Sequence, residues 1–347
     1  MIMNYFYRIT VAVLMLCLLF ACETNRKKFA PPVFKKNAEL NYDIIQDTVY
    51  VKFADQIISF GNYIILHSLV ENKFLQVYDK RTGEHLGGYV SKGQGPGEMS
   101  ECMNMYYNKK ERIVTLFDSN AQQYLIYSIH EDADNLLQFD SKKNFSNKGM
   151  IKNIFCIDEN RYLLDARTMP PNKNDQRFSF VKGNGEIISE YTDFPTSSLD
   201  DYWAYAFKDR ISISPDKRKM ASGTYYGGVL ETFEIDNSIK LLQTKYFYPI
   251  FYKDLKITED TYRGFLSICT SDDYIFTILM GCKEADTNLN YISVFNWKGD
   301  PVMRFNLKDD LMLVRLCYNE DDHFIYAFAM TAEYDYFLVK LDISGYL

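Results

Sequence analysis

The sequence has no excess of basic residues. Its 347 residues include 39 Lys and Arg against 46 Asp and Glu, which gives a formal net charge of −7 at pH 7. Proteins that bind nucleic acid neutralise phosphates with a basic face. We therefore expect no nucleic-acid partner.

Cysteine and histidine are few and lack the spacing of metal ligands. The seven cysteines include no Cys-x-x-Cys pair, and the four histidines are scattered. A structural zinc site needs paired spacings, so we expect no metal, no cofactor and no dense disulfide framework. Cys156, Cys269 and Cys317 instead each lie two residues before a similar polar turn, which predicts small buried packing residues at one equivalent position in three repeats.

Proline is also scarce, and aromatic residues are abundant. The chain has nine Pro against 28 Tyr and 25 Phe, and 47% of its residues are apolar. This composition favours strands over helices and excludes disorder as a description of the whole chain. Closed all-β folds often run long as a single domain. We expect an all-β protein.

The chain begins with the pattern of a secretory signal. Arg8 precedes an apolar run of 12 residues, Ile9 to Phe20, and the small residue Ala21 follows it. Twelve residues are too few to span a bilayer as a helix. The pattern predicts export.

The end of this leader resembles the lipobox of bacterial lipoproteins. The stretch reads Leu19-Phe20-Ala21-Cys22, and the resemblance implies that Cys22 carries acyl chains, which anchor a protein stably when there are two or three of them. The alternative is a plain signal peptide with an incidental cysteine. We predict a signal peptide over 1–21, a lipidated tether over 22–39 and a folded body over 40–347.

A polar turn between two apolar strands recurs six times in the body. The turns begin at Ser59, Asn108, Asp158, Ser214, Ser271 and Asn319, with differences of 49, 50, 56, 57 and 48 residues. A second, hairpin-type turn follows in most repeats, as in Thr82-Gly83-Glu84. Six units of four strands predict a six-bladed β-propeller of four-stranded antiparallel blades. A β-sandwich or two separate β domains would explain the strands but not the sixfold turn.

The last repeat supplies only three strands of its own. They are predicted at Leu313 to Tyr318, Phe324 to Met330 and Tyr336 to Leu341. The segment Ile44 to Phe53 precedes the first repeat and is apolar enough to be the missing outer strand. We predict that this N-terminal strand joins the last blade and closes the ring.

A glycine-rich stretch follows the first predicted blade. It reads Gly93-Gln94-Gly95-Pro96-Gly97-Glu98, and with the lipobox and the propeller-length body it resembles the TolB-like six-bladed propeller lipoproteins of Bacteroides-type bacteria. The resemblance covers nearly the whole mature chain. It implies an envelope protein that acts as a binding module, and it brings no catalytic residues.

The same stretch has two interpretations. Its backbone N–H groups could bind an anion, or it could be a tight crossover between blades in which Glu98 bonds local amides. No Lys-Ser/Thr follows, as a phosphate-binding loop requires. We therefore assign Gly93, Gly95, Pro96, Gly97 and Glu98 to a structural loop.

Ligands of propellers generally bind on the face that carries the blade crossovers and the loops between second and third strands. The candidates there are aromatic or cationic: Arg167, Tyr202, Trp203, Tyr205, Tyr225, Tyr226 and Lys283. The alternative is that the aromatic residues fill the gaps between blades. Two of the acidic pairs, Asp272-Asp273 and Asp321-Asp322, lie in turns of the opposite face, so we predict no catalytic residue.

The sequence thus predicts a lipid-anchored envelope protein at the outer membrane. It does not decide between the periplasmic side and the cell surface. The protein would act as a non-catalytic binding or scaffolding module for a glycan, a peptide or a partner protein. The alternatives are a propeller hydrolase or lyase acting at the channel mouth and a purely structural role. An enzyme needs convergent carboxylates, a histidine or a metal, whereas a binder needs only aromatic groups and amides.

Overall fold

The computed structural model describes residues 29–49, 51, 54–130, 135–144, 150–167, 177–195, 209–253, 256–283, 289–308 and 311–347. Within these residues, 27 strands form six four-stranded antiparallel blades, a parallel strand added to one of them, and one small hairpin. Each blade begins with an inner strand, and its later strands follow outward in chain order. The prediction of a six-bladed propeller is confirmed.

The first three blades use consecutive strands. Blade 1 contains β3 (Gln56–Phe60), β4 (Tyr63–Val70), β5 (Lys73–Asp79) and β6 (His85–Ser91). Blade 2 contains β7 (Cys102–Asn108), β8 (Ile113–Asp118), β9 (Gln123–Ile129) and β10 (Leu137–Asn144). Blade 3 contains β11 (Met150–Cys156), β12 (Arg161–Arg167), β13 (Phe178–Lys182) and β14 (Ile187–Tyr191).

The last three blades include the two ends of the chain. Blade 4 contains β15 (Asp209–Ile213), β16 (Lys219–Thr224), β17 (Val229–Ile235) and β18 (Ile239–Tyr246), and the hairpin of β19 (Tyr252–Lys253) and β20 (Lys256–Ile257) follows it. Blade 5 contains β21 (Phe265–Thr270), β22 (Tyr274–Leu279), β23 (Tyr291–Asn296) and β24 (Pro301–Leu307), joined by β1 (Lys36–Leu40). Blade 6 contains β25 (Met312–Tyr318), β26 (Phe324–Met330), β27 (Tyr336–Asp342) and β2 (Tyr42–Gln46).

All six recurring polar turns connect the first strand of a blade to its second strand. Phe60 and Tyr63, for example, flank the turn of blade 1, and Tyr318 and Phe324 flank that of blade 6. Turns of this kind need polar residues that bond their own backbone. The Asp158 carboxylate does so, because Oδ1 accepts from the N–H groups of Asn160 and Arg161. The marker in the sequence is therefore the blade turn.

The core lies between neighbouring blades. One apolar cluster joins Phe328 of blade 6 to Ile64 of blade 1, and another joins Phe180 of blade 3 to Phe233 of blade 4. A middle strand is covered on both faces by this arrangement. In β26 the run from Ile325 to Ala329 is buried at every position, so such strands read as continuous apolar runs and not as alternating ones.

The N-terminal strand closes the ring as predicted, but its bounds differ. β2 pairs antiparallel with β27, and Ile44 is the partner of Val339. The strand ends at Gln46 and does not extend to Phe53, because Gln46 Oε1 accepts hydrogen bonds from the N–H groups of Asp47 and Thr48 and turns the chain. Beyond this turn the buried side chain of Val51 packs in the cluster between blades 6 and 1.

A second N-terminal strand was not predicted. β1 pairs parallel with β24 and adds a fifth strand to blade 5, although it lies in the segment predicted as a tether. Ala30 N donates to Tyr246 O at the end of β18. The N-terminal segment therefore contacts blades 4, 5 and 6 in turn before it enters blade 1.

Cys156, Cys269 and Cys317 occupy the first strands of blades 3, 5 and 6. All three are buried free thiols. Burial raises the pKa of Cys156 to about 11 and raises the pKa of the other two thiols further. The prediction of equivalent, small, inner packing residues is confirmed.

Candidate functional site

The first strands of all six blades surround an axial cavity of about 1000 Å³. The strands begin at one end of this channel, where Asp55, Gln56, Asn104, Arg210 and Arg315 lie, and end at the blade turns. We call the first end the arginine mouth and the second the turn end. The two ends differ in how their charges are paired.

Arg315 brings a charge into a strand that is otherwise nearly apolar. It lies in β25 and is 5% exposed. Its Nε donates to the carbonyl oxygen of Asp55 at 2.6 Å and its Nη1 to that of Val314 at 2.8 Å. Burial and then the charge of Arg210 lower its pKa to about 10, although the Asp55 carboxylate opposes them. The mouth therefore has a positive potential that its own acid only partly offsets.

Arg210 lies at the mouth in β15 of blade 4, and blade 5 separates it from Arg315 in blade 6. Its guanidinium carbon is 5.6 Å from the ring centre of Tyr225, a cation–π distance. Its Nε is buried and has no hydrogen-bond partner among the described residues. Burial lowers the pKa of this half-buried side chain, and Tyr225 and Asp55 oppose the effect. Arg210 is thus a cation whose Nε–H can donate a hydrogen bond to a ligand or to solvent.

Tyr225 also contacts Arg263, and a close approach of two backbone segments positions this contact. Gly264 N donates to Tyr225 O at 2.7 Å, and a Cβ at Gly264 would lie 1.7 Å from the carbonyl oxygen of Gly227. This contact sets the Arg263 guanidinium 5.6 Å from the ring centre of Tyr225 and 5.4 Å from that of Tyr226. Glycine is required at this position because no side chain fits between the two loops.

Further buried polar atoms line the channel without a hydrogen-bond partner in the described part of the chain. They include His67 Nδ1 and Asn104 Oδ1, and at the end of β7 Asn108 Nδ2, and these residues are at most 4% exposed. Burial lowers the pKa of His67, with Asp55 opposing, so the imidazole is neutral at neutral pH. Buried polar groups normally have a partner, which marks these atoms as places for a ligand or solvent.

Several charges at the turn end are paired. Lys109 Nζ lies 2.6 Å from Asp321 Oδ1 and 3.8 Å from Glu320 Oε2. Burial raises the pKa of Glu320, and Lys109 opposes this effect. The neighbouring acids are bound as well, since Asp272 Oδ1 accepts from Asp216 N and Asp322 Oδ2 lies 2.8 Å from Lys80 Nζ. These carboxylates stabilise turns and interblade contacts.

The structure brings two of the predicted ligand residues to the rim of the arginine mouth and leaves a third apart. Tyr225 and Tyr226 are half-buried there. Lys283 is exposed and forms an ion pair with Asp260 at 2.9 Å. Arg167 ends β12, and its side chain lies outside the described residues, as do Cys22, Tyr202, Trp203 and Tyr205.

The glycine loop is bonded within itself and to its neighbours. Gly95 N donates to Glu98 Oε2 at 2.8 Å, and Gly93 N donates to Met99 O at 2.8 Å. Gly97 has a φ of 68°, and its carbonyl oxygen accepts from Tyr127 Oη at 2.8 Å. These contacts are the ones that the structural interpretation of the loop requires.

Sequence reasoning missed Arg210, Arg263, Arg315 and His67. The available signal was the charge inside an apolar inner strand, as in Met-Leu-Val-Arg-Leu-Cys-Tyr of β25. A cation in such a strand needs a special environment. Arg263 had no comparable signal, because its position depends on the approach of two loops.

The family model described as TolB-like 6-blade propeller-like matches residues 33–321. The chain belongs to this family. Among solved structures, this TolB-like propeller is similar to a protein described as exported from Bacteroides fragilis NCTC 9343, with a TM-score of 0.58 and 16% identity over 91% of this chain and 99% of the other. It is also similar to a member of the DUF4221 family from Bacteroides vulgatus ATCC 8482, with a TM-score of 0.52 and 9% identity over 88% and 96% of the two chains.

At these identities the likeness shows the fold alone. A search of curated proteins finds no match. Within the described part of this TolB-like propeller, no cluster of three or more His, Cys, Asp or Glu could hold a metal ion, and no helix is long and apolar enough to cross a membrane.

Proposed function

We propose that this TolB-like propeller is an exported, non-catalytic binding module whose ligand enters the channel at the arginine mouth. The observation that carries the proposal is Arg210, whose buried Nε has no hydrogen-bond partner among the described residues while its guanidinium lines the cavity. The cavity volume of about 1000 Å³ lies within the range of ligand sites. Cations and half-buried tyrosines at a concave site favour binding.

The carboxylates that line the channel near this mouth argue against hydrolysis. Asp209 Oδ2 lies 3.2 Å from Arg177, and both side chains are fully buried. Asp165 Oδ2 accepts from Asn153 Nδ2 at 2.9 Å. Hydrolysis of a glycosidic bond uses a pair of carboxyl groups that reach the substrate. These two groups are engaged in protein contacts, so Asp55 at the mouth has no second carboxyl group of this kind among the described residues near it.

A binding screen tests this function. Glycan and peptide libraries are offered to the full chain, and binding is read by thermal shift and then by calorimetry. We expect at least one class of ligand to bind and Arg210→Gln to weaken it, with Lys283→Gln as the control from the same face. Turnover of a bound ligand would contradict the non-catalytic part of the proposal.

We also propose that the protein is held at the outer membrane by acyl chains on Cys22. The support is the lipobox-like stretch and the exported relative from Bacteroides fragilis. Growth with a radioactive fatty acid should label the protein, and Cys22→Ser should remove the label. An unlabelled wild-type chain would leave a plain signal peptide as the explanation.

A further inference from the structure

Two guanidinium groups, those of Arg210 and Arg315, line the arginine mouth, and the exposed carboxylate of Asp55 acts on both. A third guanidinium, that of Arg263, lies against Tyr225, which contacts Arg210. Arg210 and Arg315 repel each other across the channel. An anion between them would offset this repulsion, and the planar fork of arginine matches the oxygens of a carboxylate or of a phosphate.

The other polar groups of the mouth indicate what this anion must carry. Asp55 and Asn104 Oδ1 are hydrogen-bond acceptors, and neutral His67 offers a ring nitrogen, Nδ1, that is buried and has no hydrogen-bond partner among the described residues. A fatty acid would leave these groups unpaired, and unpaired buried polar groups are costly. Several hydroxyl groups near the carboxylate would satisfy them.

The size of the channel favours more than a single small ion. A volume of about 1000 Å³ is the upper end of the range for small-ligand sites. Tyr225 and Tyr226 lie half-buried at the rim, where aromatic faces can cover the apolar face of a ring. A chain of a few sugar rings meets both conditions.

Building on the binding function argued above, we propose that the arginine mouth binds the acidic end of a uronic-acid oligosaccharide. The carboxylate lies against Arg210 and Arg315, and the ring hydroxyls donate to Asp55 and Asn104 and contact His67. Arg263 positions Tyr225 at the rim. Binding is non-covalent throughout.

The test compares matched probes on the full chain by calorimetry. The probes are trigalacturonate, its methyl ester, the neutral trisaccharide of galactose, a tri-glutamate peptide and inorganic phosphate. We expect trigalacturonate to bind and the ester and the neutral sugar to bind at least about tenfold more weakly, since they lack the charge-assisted hydrogen bonds. Arg210→Gln should lose about tenfold in affinity for the acid, and Lys283→Gln should bind as the wild type does.

The comparison of acid and ester needs no substitution, so it decides the proposal even if Arg210→Gln fails to fold. Equal binding of acid, ester and neutral sugar overturns the acidic-sugar inference but leaves the binding function standing. Tighter binding of the peptide or of phosphate overturns the sugar part of the inference. If no member of the glycan and peptide libraries binds, the proposed function falls together with the inference.

Discussion

Two arginines of blades 3 and 4, Arg177 fully buried and Arg210 half-buried, show how environment decides the role of a residue. Arg177 is fully buried and lies 2.6 Å from Glu231 and 3.2 Å from Asp209. Burial lowers its pKa, but Glu231 and then Asp209 raise it above its usual value. Arg210 is next to Asp209 in sequence, yet its Nε has no hydrogen-bond partner in the described part of the chain. The first arginine stabilises the fold, and the second has a donor that the proposed ligand would pair.

Arg177→Met should therefore destabilise the protein strongly. The change leaves the carboxylates of Glu231 and Asp209 buried without their cation, which costs about 3–5 kcal/mol in comparable cases. Denaturant unfolding would measure the loss. Lys182→Met is the control, because Lys182 and Glu186 form an exposed pair whose removal costs about 1 kcal/mol or less. Equal effects of the two changes would contradict a structural role for Arg177.

His67 should make stability fall on acidification. Burial lowers its folded pKa below the ordinary 6.5, and Asp55 opposes this only in part. Below pH 6.5 the unfolded chain binds a proton that the folded chain does not take up, so the free energy of unfolding decreases until the folded pKa is reached. Above pH 6.5 this contribution is constant.

The measurement compares wild type with His67→Gln by denaturant unfolding at about pH 7.5 and about pH 5.5. We expect the variant to show a smaller loss of stability between the two values. His85, whose pKa burial also lowers, is present in both proteins and cancels. An unchanged pH dependence would mean that His67 titrates alike in the folded and unfolded chains.

At the scale of single elements, the two loops that meet beside the mouth depend on one glycine. A Cβ at Gly264 would lie 1.7 Å from Gly227 O and 2.2 Å from Thr224 O, and both contacts are with backbone. Gly264→Ala should force these loops apart and cost about 1–3 kcal/mol. Because Arg263 is the preceding residue, the change should also weaken ligand binding at the rim.

Gly345→Ala is the matched control for this change. A Cβ there meets nothing within 4 Å, and its φ is not in the left-handed region. Thermal and denaturant unfolding of the two variants give the comparison. A Gly264→Ala protein as stable as the Gly345→Ala protein would show that the loops can separate without cost.

Elements that rest on local chemistry could be predicted from the sequence, and elements that rest on distant partners could not. The six blade turns carry their own bonding residues, as Asp158 does, and β26 was predicted with its bounds unchanged. β1 has a short and mostly exposed sequence. Its partner Met303 lies far along the chain from Lys36, so only the assembled ring shows the pairing.

The whole molecule adds information that no single repeat contains. The spacing of the turns predicts how many blades there are, and an incomplete last repeat predicts closure by the N-terminus. The site is different, because Arg210, Arg263 and Arg315 come from three blades or crossovers. Their meeting depends on the order of blades around the axis. Sequence reasoning reached Tyr225 and Tyr226 through loop position and could not reach the cations that surround them.

Ring closure should make unfolding a single transition. Open repeat arrays can unfold from a free end, but here the apolar cluster that contains Phe328 joins the last blade to the first. Phe328→Ala should therefore act like Phe180→Ala, which removes a fully buried ring between blades 3 and 4. Each should cost about 3–5 kcal/mol without a change in the denaturant slope.

Far-UV circular dichroism and intrinsic fluorescence should give coincident transitions for wild type and both variants. Hydrogen exchange would locate any local opening. Phe328→Ala could instead split the transition, with blades 6 and 1 losing protection before blades 3 and 4. That result would contradict a single transition and show that the closure opens independently of the other blades. Ligand affinity should then be lost in that early phase. Arg315 of blade 6 donates from Nε to the carbonyl oxygen of Asp55, beside blade 1, at 2.6 Å, and this hydrogen bond would break when the two blades separate.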